Sequence, residues 1–241
     1  MIFECFLSSD DSDRVTRTLG KLARHGLKQW ALTGGLAVEL HLSRLAGQPC
    51  TRLLNDIDFV ADSFEFLPHT LVQDFLFRHV HPLAAAGKTM LQCVDTETAL
   101  RVDIFNPYGA AMIRACPPDL PTCELRLISL EDLASGEASL LMDLAGNIPV
   151  DRKFARDFRR LSEFIHTTKA EIAWRDYRKP DHPATFSEAA QLVTQLIDSR
   201  ADLLIAPEYS TDVSATCERC QHTPAFPLAD ARAICAVLGY C

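Results

Sequence analysis

The chain has 241 residues, 48% hydrophobic and 23% charged, a balance that excludes disordered, collagen-like and coiled-coil classes and leaves enough apolar surface for a packed core. That length corresponds to about one and a half typical domains. Lys and Arg number 24 against 32 Asp and Glu, and the resulting net charge of −8 argues against a broad nucleic-acid-gripping surface while allowing a local basic patch. The opening MIFECFLSSDDSD has no basic start and turns acidic at once, unlike a secretory leader. No run reaches the ~18 apolar residues of a membrane span, so the expectation is a soluble cytoplasmic protein with no membrane partner.

In chain order, residues 10–25 read as a helix carrying Val15, Leu19 and Leu22 on one face, ended by Gly26. Lys28 to Thr33 reads as a strand running into Gly34 and Gly35, and Leu36 to Leu45 returns to helix. Asn55 to Asp62 alternates as a strand does, residues 68–78 read as a helix, and Lys88 to Val94 and Ala99 to Phe105 form a hairpin around DTET. This order predicts a small mixed sheet with flanking helices, an α/β (α+β) fold. From Ser129 the spacing of Leu130, Leu133, Leu140, Leu141 and Leu144 is helical, and Phe154, Phe158, Leu161 and Ile165 stripe a second helix. Pro180 and Pro183 bracket a linker before a helix at 186–199. The division expected is 1–128 for the sheet-containing part, 129–200 for a helical region and 201–241 for a Cys-rich tail.

Asp56 and Asp58 stand two apart on a predicted strand, so both carboxylates project to one side while Ile57 and Phe59 project to the other. Asp103 alternates in the same way with Val102 and Ile104. Three carboxylates converging from paired strands suit Mg²⁺, and two such ions can stabilise the attacking and leaving oxygens of a phosphoryl transfer. Gly34 and Gly35 let a phosphate approach backbone N–H groups at a helix start, and Thr33 adds a hydroxyl. Metal ligands together with anion recognition are what transfer from a nucleoside triphosphate requires.

The succession LTGG, NDIDFV and RVDIF resembles the DNA polymerase beta-type nucleotidyltransferase superfamily, over roughly residues 14–165. The resemblance implies a phosphate-binding turn at Gly34 and Gly35, a metal-binding pair at Asp56 and Asp58, and a third carboxylate at Asp103. Arg52, together with SLEDLASGEASLL and DRKFARDFRRL, is most similar to the abortive-infection toxin-like branch, which implies an antitoxin-like protein partner. Arg52 also reads as a partner for the neighbouring aspartates. Two features depart from the pattern: a long spacer containing SRLAGQPC between Gly35 and Asp56, and Glu137, which falls where relatives carry a basic residue. The expected activity is Mg²⁺-dependent transfer of a nucleoside monophosphate to a hydroxyl of RNA, protein or a small molecule. Glu137 keeps open an alternative, a catalytically impaired nucleotide-binding or regulatory protein.

Arg152, Lys153, Arg156, Arg159 and Arg160 form a basic helix face that reads either as solvated surface or as a phosphate or RNA contact. Four of the nine cysteines, Cys217, Cys220, Cys235 and Cys241, cluster as C-x2-C-x14-C-x5-C. They fit a structural Zn²⁺, with His222 able to replace one ligand; a redox dithiol and plain buried thiols are the other readings.

Overall fold

The structure is a computed structural model that describes residues 2–26, 29–50, 52, 54–62, 68–80, 90–106, 108–116 and 125–206. The Cys-rich tail, with the zinc reading of Cys217, Cys220, Cys235 and Cys241, lies outside the described residues. Ser8 opens helix α1 (Ser9–Ala23) by accepting a hydrogen bond from the Asp11 N–H, and Asp10 and Asp11 lie at the positive end of the helix dipole. Val15, Leu19 and Leu22 are buried along the expected face. Strand β1 (Trp30–Thr33) then runs directly into α2 (Gly34–Ala46), which ends on Gly47 in the left-handed conformation. Gly34 and Gly35 therefore lie in the first turn of the helix, two residues earlier than the spacing predicts.

Strands β2 (Asp56–Ala61), β3 (Leu76–Val80), β4 (Met90–Asp95), β5 (Leu100–Phe105) and, after the short helix α3 (Ala111–Arg114), β6 (Arg126–Leu127) join β1 in a mixed sheet of order β3-β4-β5-β2-β1-β6. Two pairings, β2 with β5 and β1 with β6, are parallel. The helix expected at 68–78 is corrected to a 3-10 turn at His69–Gln73 followed by β3. Leu71 and Phe75 are spaced for a helix, but Phe75 and Phe77 also fit a two-residue period, and pairing of β3 with β4 supplies that strand with a hydrogen-bonded neighbour.

Beyond the sheet come α4 (Leu130–Leu141), a short strand β7 (Val150–Asp151), α5 (Arg152–Ser162), α6 (Thr167–Tyr177), α7 (Phe186–Ser199) and β8 (Leu204–Ile205), which pairs in parallel with β7. Helix α4 is the hub, packing against α2, α5, α6 and α7. Accordingly its buried residues, from Leu130 and Asp132 to Glu137 and Leu141, occupy almost all of its circumference. The stripe expected to reach Ile165 stops short, because α5 ends at Ser162. Helix α6 was not signalled by the spacing: its buried side includes Ala170, Ala173 and Trp174, too few large residues to mark a stripe. The Trp174 indole donates to the Pro183 carbonyl at 2.9 Å and stacks on His182, which ties the proline segment to α6. One continuous apolar core joins the sheet to these helices. Among the described residues no helix is long and apolar enough to cross a membrane.

Candidate active site

The sheet register builds the site. Thr33 of β1 lies opposite Asp58 of β2, Asp58 opposite Asp103 of β5, and Asp103 opposite Gln92 of β4. Residues aligned across neighbouring strands share a face, so this row, with Asp56 two residues along from Asp58, brings three acids together. One carboxylate oxygen from each of Asp56, Asp58 and Asp103 lies within 4.8 Å of the others. Asp103 is fully buried, Asp58 nearly so and Asp56 partly exposed, giving the cluster a closed end and an open one.

Three carboxylates this close repel one another, and the fold supplies a cation among them. Arg101 is buried, with Nη2 3.3 Å from Asp56 Oδ2 and Nε 3.1 Å from Asp103 Oδ1. Gln92 donates from Nε2 to Asp103 Oδ2 at 3.3 Å. Arg101 and Gln92 were not singled out from the sequence, although Arg101 stands two residues before Asp103 and shares its face by the same alternation that pairs Asp56 with Asp58. Among the described residues, one guanidinium stands against these three carboxylates. Hard oxygen donors at this separation, with the open side at Asp56, fit a divalent cation.

Gly34 adopts φ +60°, and a Cβ there would lie 2.0 Å from Asp58 Oδ2. Its lack of a side chain is what lets the Asp58 carboxylate stand against the start of α2. Gly35 gives the same access to a different group, since its Cβ would lie 2.2 Å from Nη1 of Arg52. Thr33 precedes the helix without capping it through its side chain. The first-turn N–H groups and the positive end of the helix dipole therefore stand beside the carboxylates, an arrangement suited to phosphate.

Arg52 does not pair with the aspartates of β2. Its Nη2 binds Asp157 of α5, and its Nε lies 3.5 Å from Glu39 Oε1 of α2. Arg160 grips both oxygens of Glu39, at 2.7 and 3.0 Å, and Arg156 lies 3.0 Å from Asp157. The basic face of α5 is thus divided: Arg160 turns inward to α2, Arg159 pairs with Asp198 of α7, and Arg152 and Arg156 stay exposed. Sequence reading missed Glu39 and Asp157. Glu39 is an acid set among Leu36, Ala37, Val38 and Leu40 in α2, which was the signal available.

Glu137 of α4 is buried in this same cluster. Burial, followed by the nearby Asp157 carboxylate, raises its pKa well above the ordinary carboxylate range, against the opposing pull of Arg52, Arg156 and Lys153.

No family model matches this sequence, and no curated protein matches it. Among solved structures the chain is similar to the antibiotic-resistance factor ANT(2'')-Ia, at 14% identity and a TM-score of 0.44, over 76% of this chain and 95% of that one. It is also similar to JHP933 from Helicobacter pylori, at 13% identity and a TM-score of 0.32, over 81% of this chain and 97% of that one. With scores this low they stand as likenesses only, and the functional reading rests on the geometry of the site.

Proposed function

We propose that the chain is a metal-dependent nucleotidyltransferase that moves a nucleoside monophosphate from a nucleoside triphosphate to an acceptor hydroxyl. The observation that carries this reading is the triad Asp56, Asp58 and Asp103 standing beside the glycine-opened start of α2. Asp56 and Asp58, with Asp103, would hold Mg²⁺, which when bound neutralises phosphate charge and favours in-line displacement. The first-turn N–H groups of α2 at Gly34 and Gly35, with the Thr33 hydroxyl, orient the triphosphate. Arg52 is placed to add charge there on leaving Asp157. Asp103 accepts the proton of the acceptor hydroxyl, whose oxygen forms a new bond to the α-phosphorus as the bond to the β-phosphate oxygen breaks and pyrophosphate leaves. Arg101 and Gln92 hold Asp103 in position.

The acceptor is a hydroxyl of RNA, protein or a small molecule, and the net charge disfavours extensive RNA contact. The toxin-like branch and its antitoxin-like partner, a catalytic part at 1–128 with helices at 129–200, and structural zinc in the tail belong to the same proposal. Incubation with each labelled nucleoside triphosphate, Mg²⁺ and cell extract tests it. Label should enter one extract fraction with wild type and fall by roughly 100-fold or more with Asp103→Asn. Equal labelling by the two proteins would overturn the reading. Nucleotide binding without transfer would favour a regulatory role, which Glu137 and the engagement of Arg52 by Asp157 would then explain.

A further inference from the structure

Helices α2, α4 and α5 meet beside Gly35 in a cluster of acids and bases from which the proposed transfer draws only on Arg52. Glu39 comes from α2, Glu137 from α4, and Asp157 with Lys153, Arg156 and Arg160 from α5, while Arg52 reaches in from the segment before β2. The cluster touches the donor site at one point, where the Arg52 guanidinium lies against Gly35 in the first turn of α2. Arg160 is held by Glu39, and Arg52 is shared between Glu39 and Asp157. Glu137 is the member left over: it is more than nine-tenths buried, and its Oε2 has no hydrogen-bond partner among the described residues.

With Glu137 neutral, the four cations Arg52, Lys153, Arg156 and Arg160 face three carboxylates, Glu39, Asp151 and Asp157; with Glu137 ionised they face four. The neutral acid leaves the larger positive excess next to the helix start, and a buried polyanion arriving there disfavours a further buried negative charge. We propose that Glu137 makes triphosphate binding at the start of α2 proton-linked, the site holding the triphosphate with Glu137 as the neutral acid and drawing a proton from solvent when Glu137 is ionised beforehand. This rests on the donor site proposed above. Glu137 acts through Arg52 and Asp157 and is a positioning residue. Burial and Asp157 already bias it toward the neutral form, and the bound polyanion strengthens that bias.

The probe is inorganic tripolyphosphate with Mg²⁺, and its affinity is measured by calorimetry on the full chain from pH 6 to pH 9. Above the pH at which Glu137 ionises, wild type should weaken by up to tenfold per pH unit relative to Glu137→Gln, which removes the titration while keeping the shape. Any ionisation of the probe is common to both proteins and cancels. Calorimetry of wild type alone in two buffers of different ionisation enthalpy should show net proton uptake beyond that of the probe, a measurement that needs no variant. Parallel pH profiles for the two proteins, or no such uptake, would overturn the inference and leave the donor site standing. Absence of tripolyphosphate binding at every pH in both would instead remove the donor site itself.

Discussion

Gly34→Ala tests the tightest contact in the site. The new Cβ would lie 2.0 Å from Asp58 Oδ2, whereas ordinary contact begins near 3.4 Å, so the carboxylate must retreat by about 1.4 Å. Rotation of the Asp58 side chain does not relieve this, because Asp58 Cβ is itself only 2.7 Å from the added atom. The strand must move, yet β2 is held in register by β1 on one side and β5 on the other. Independently, φ +60° costs an L-residue about 1–2 kcal/mol, which for a chain of this size lowers Tm by about 2–8 °C. A displacement of ~1 Å at reacting groups can cost roughly 100-fold in rate. Thermal melts, Mg²⁺ titration and the transfer assay on Gly34→Ala should therefore show lower stability, weaker ion binding and a transfer rate reduced about 100-fold. Two companions localise the effect. Gly35→Ala meets the Arg52 guanidinium rather than a sheet strand and should be milder in stability, while Gly20→Ala, in the interior of α1 with open space around it, should stabilise by about 0.5–1 kcal/mol. A Gly34→Ala protein with wild-type Tm and wild-type Mg²⁺ affinity would refute the claim that Asp58 stands against this backbone.

Arg101→Met leaves Asp103 buried without its guanidinium and should cost about 3–5 kcal/mol in urea denaturation, with Mg²⁺ restoring more stability to the variant than to wild type; equal midpoints would refute the compensating role. Thr185→Ala removes a capping box in which the Thr185 hydroxyl accepts from the Glu188 N–H at 3.2 Å and Glu188 Oε2 accepts from the Thr185 N–H at 3.3 Å, so Tm should fall by about 2–4 °C for a loss of ~1 kcal/mol. Burial raises the Asp95 pKa, but hydrogen bonds from Lys21 (2.6 Å), Thr18 (2.9 Å) and the Glu97 N–H (3.0 Å) outweigh it and leave that pKa below the ordinary 3.8. The unfolded chain then binds the proton more readily, so this contribution is complete above the unfolded value and is lost as pH falls through the folded one. Acid titration of Asp95→Asn, followed by circular dichroism, should give a shallower loss of stability in that window than wild type.

Much of the site was legible in the chain because strand alternation is a local property. The spacing of Asp56 and Asp58, the apolar neighbours of Asp103, and a glycine pair between a strand and a helix each follow from a few adjacent residues. The helix at 186–199 was legible for a similar reason, its cap and its apolar period lying within one stretch. Residues 68–78 misled because their apolar positions satisfy both the helical and the strand period, and only the presence of β4 beside them selects the strand. Helix α6 went unread because small residues make up much of its buried face.

The sequence by itself determined an acidic chain with a packed core and three carboxylates on alternating strands behind a glycine-opened helix. Tertiary structure alone decided what surrounds them. Arg101 becomes a cation between Asp56 and Asp103 only because β2 and β5 are parallel neighbours in the sheet. Arg52, read from the sequence either as a nucleotide-binding residue or as a partner for the aspartates of β2, is held by Glu39 of α2 and by Asp157 of α5, the latter far along the chain. Charges couple through space over a few ångströms, and the separation of Arg52 from Asp157 along the sequence carries no trace of that distance.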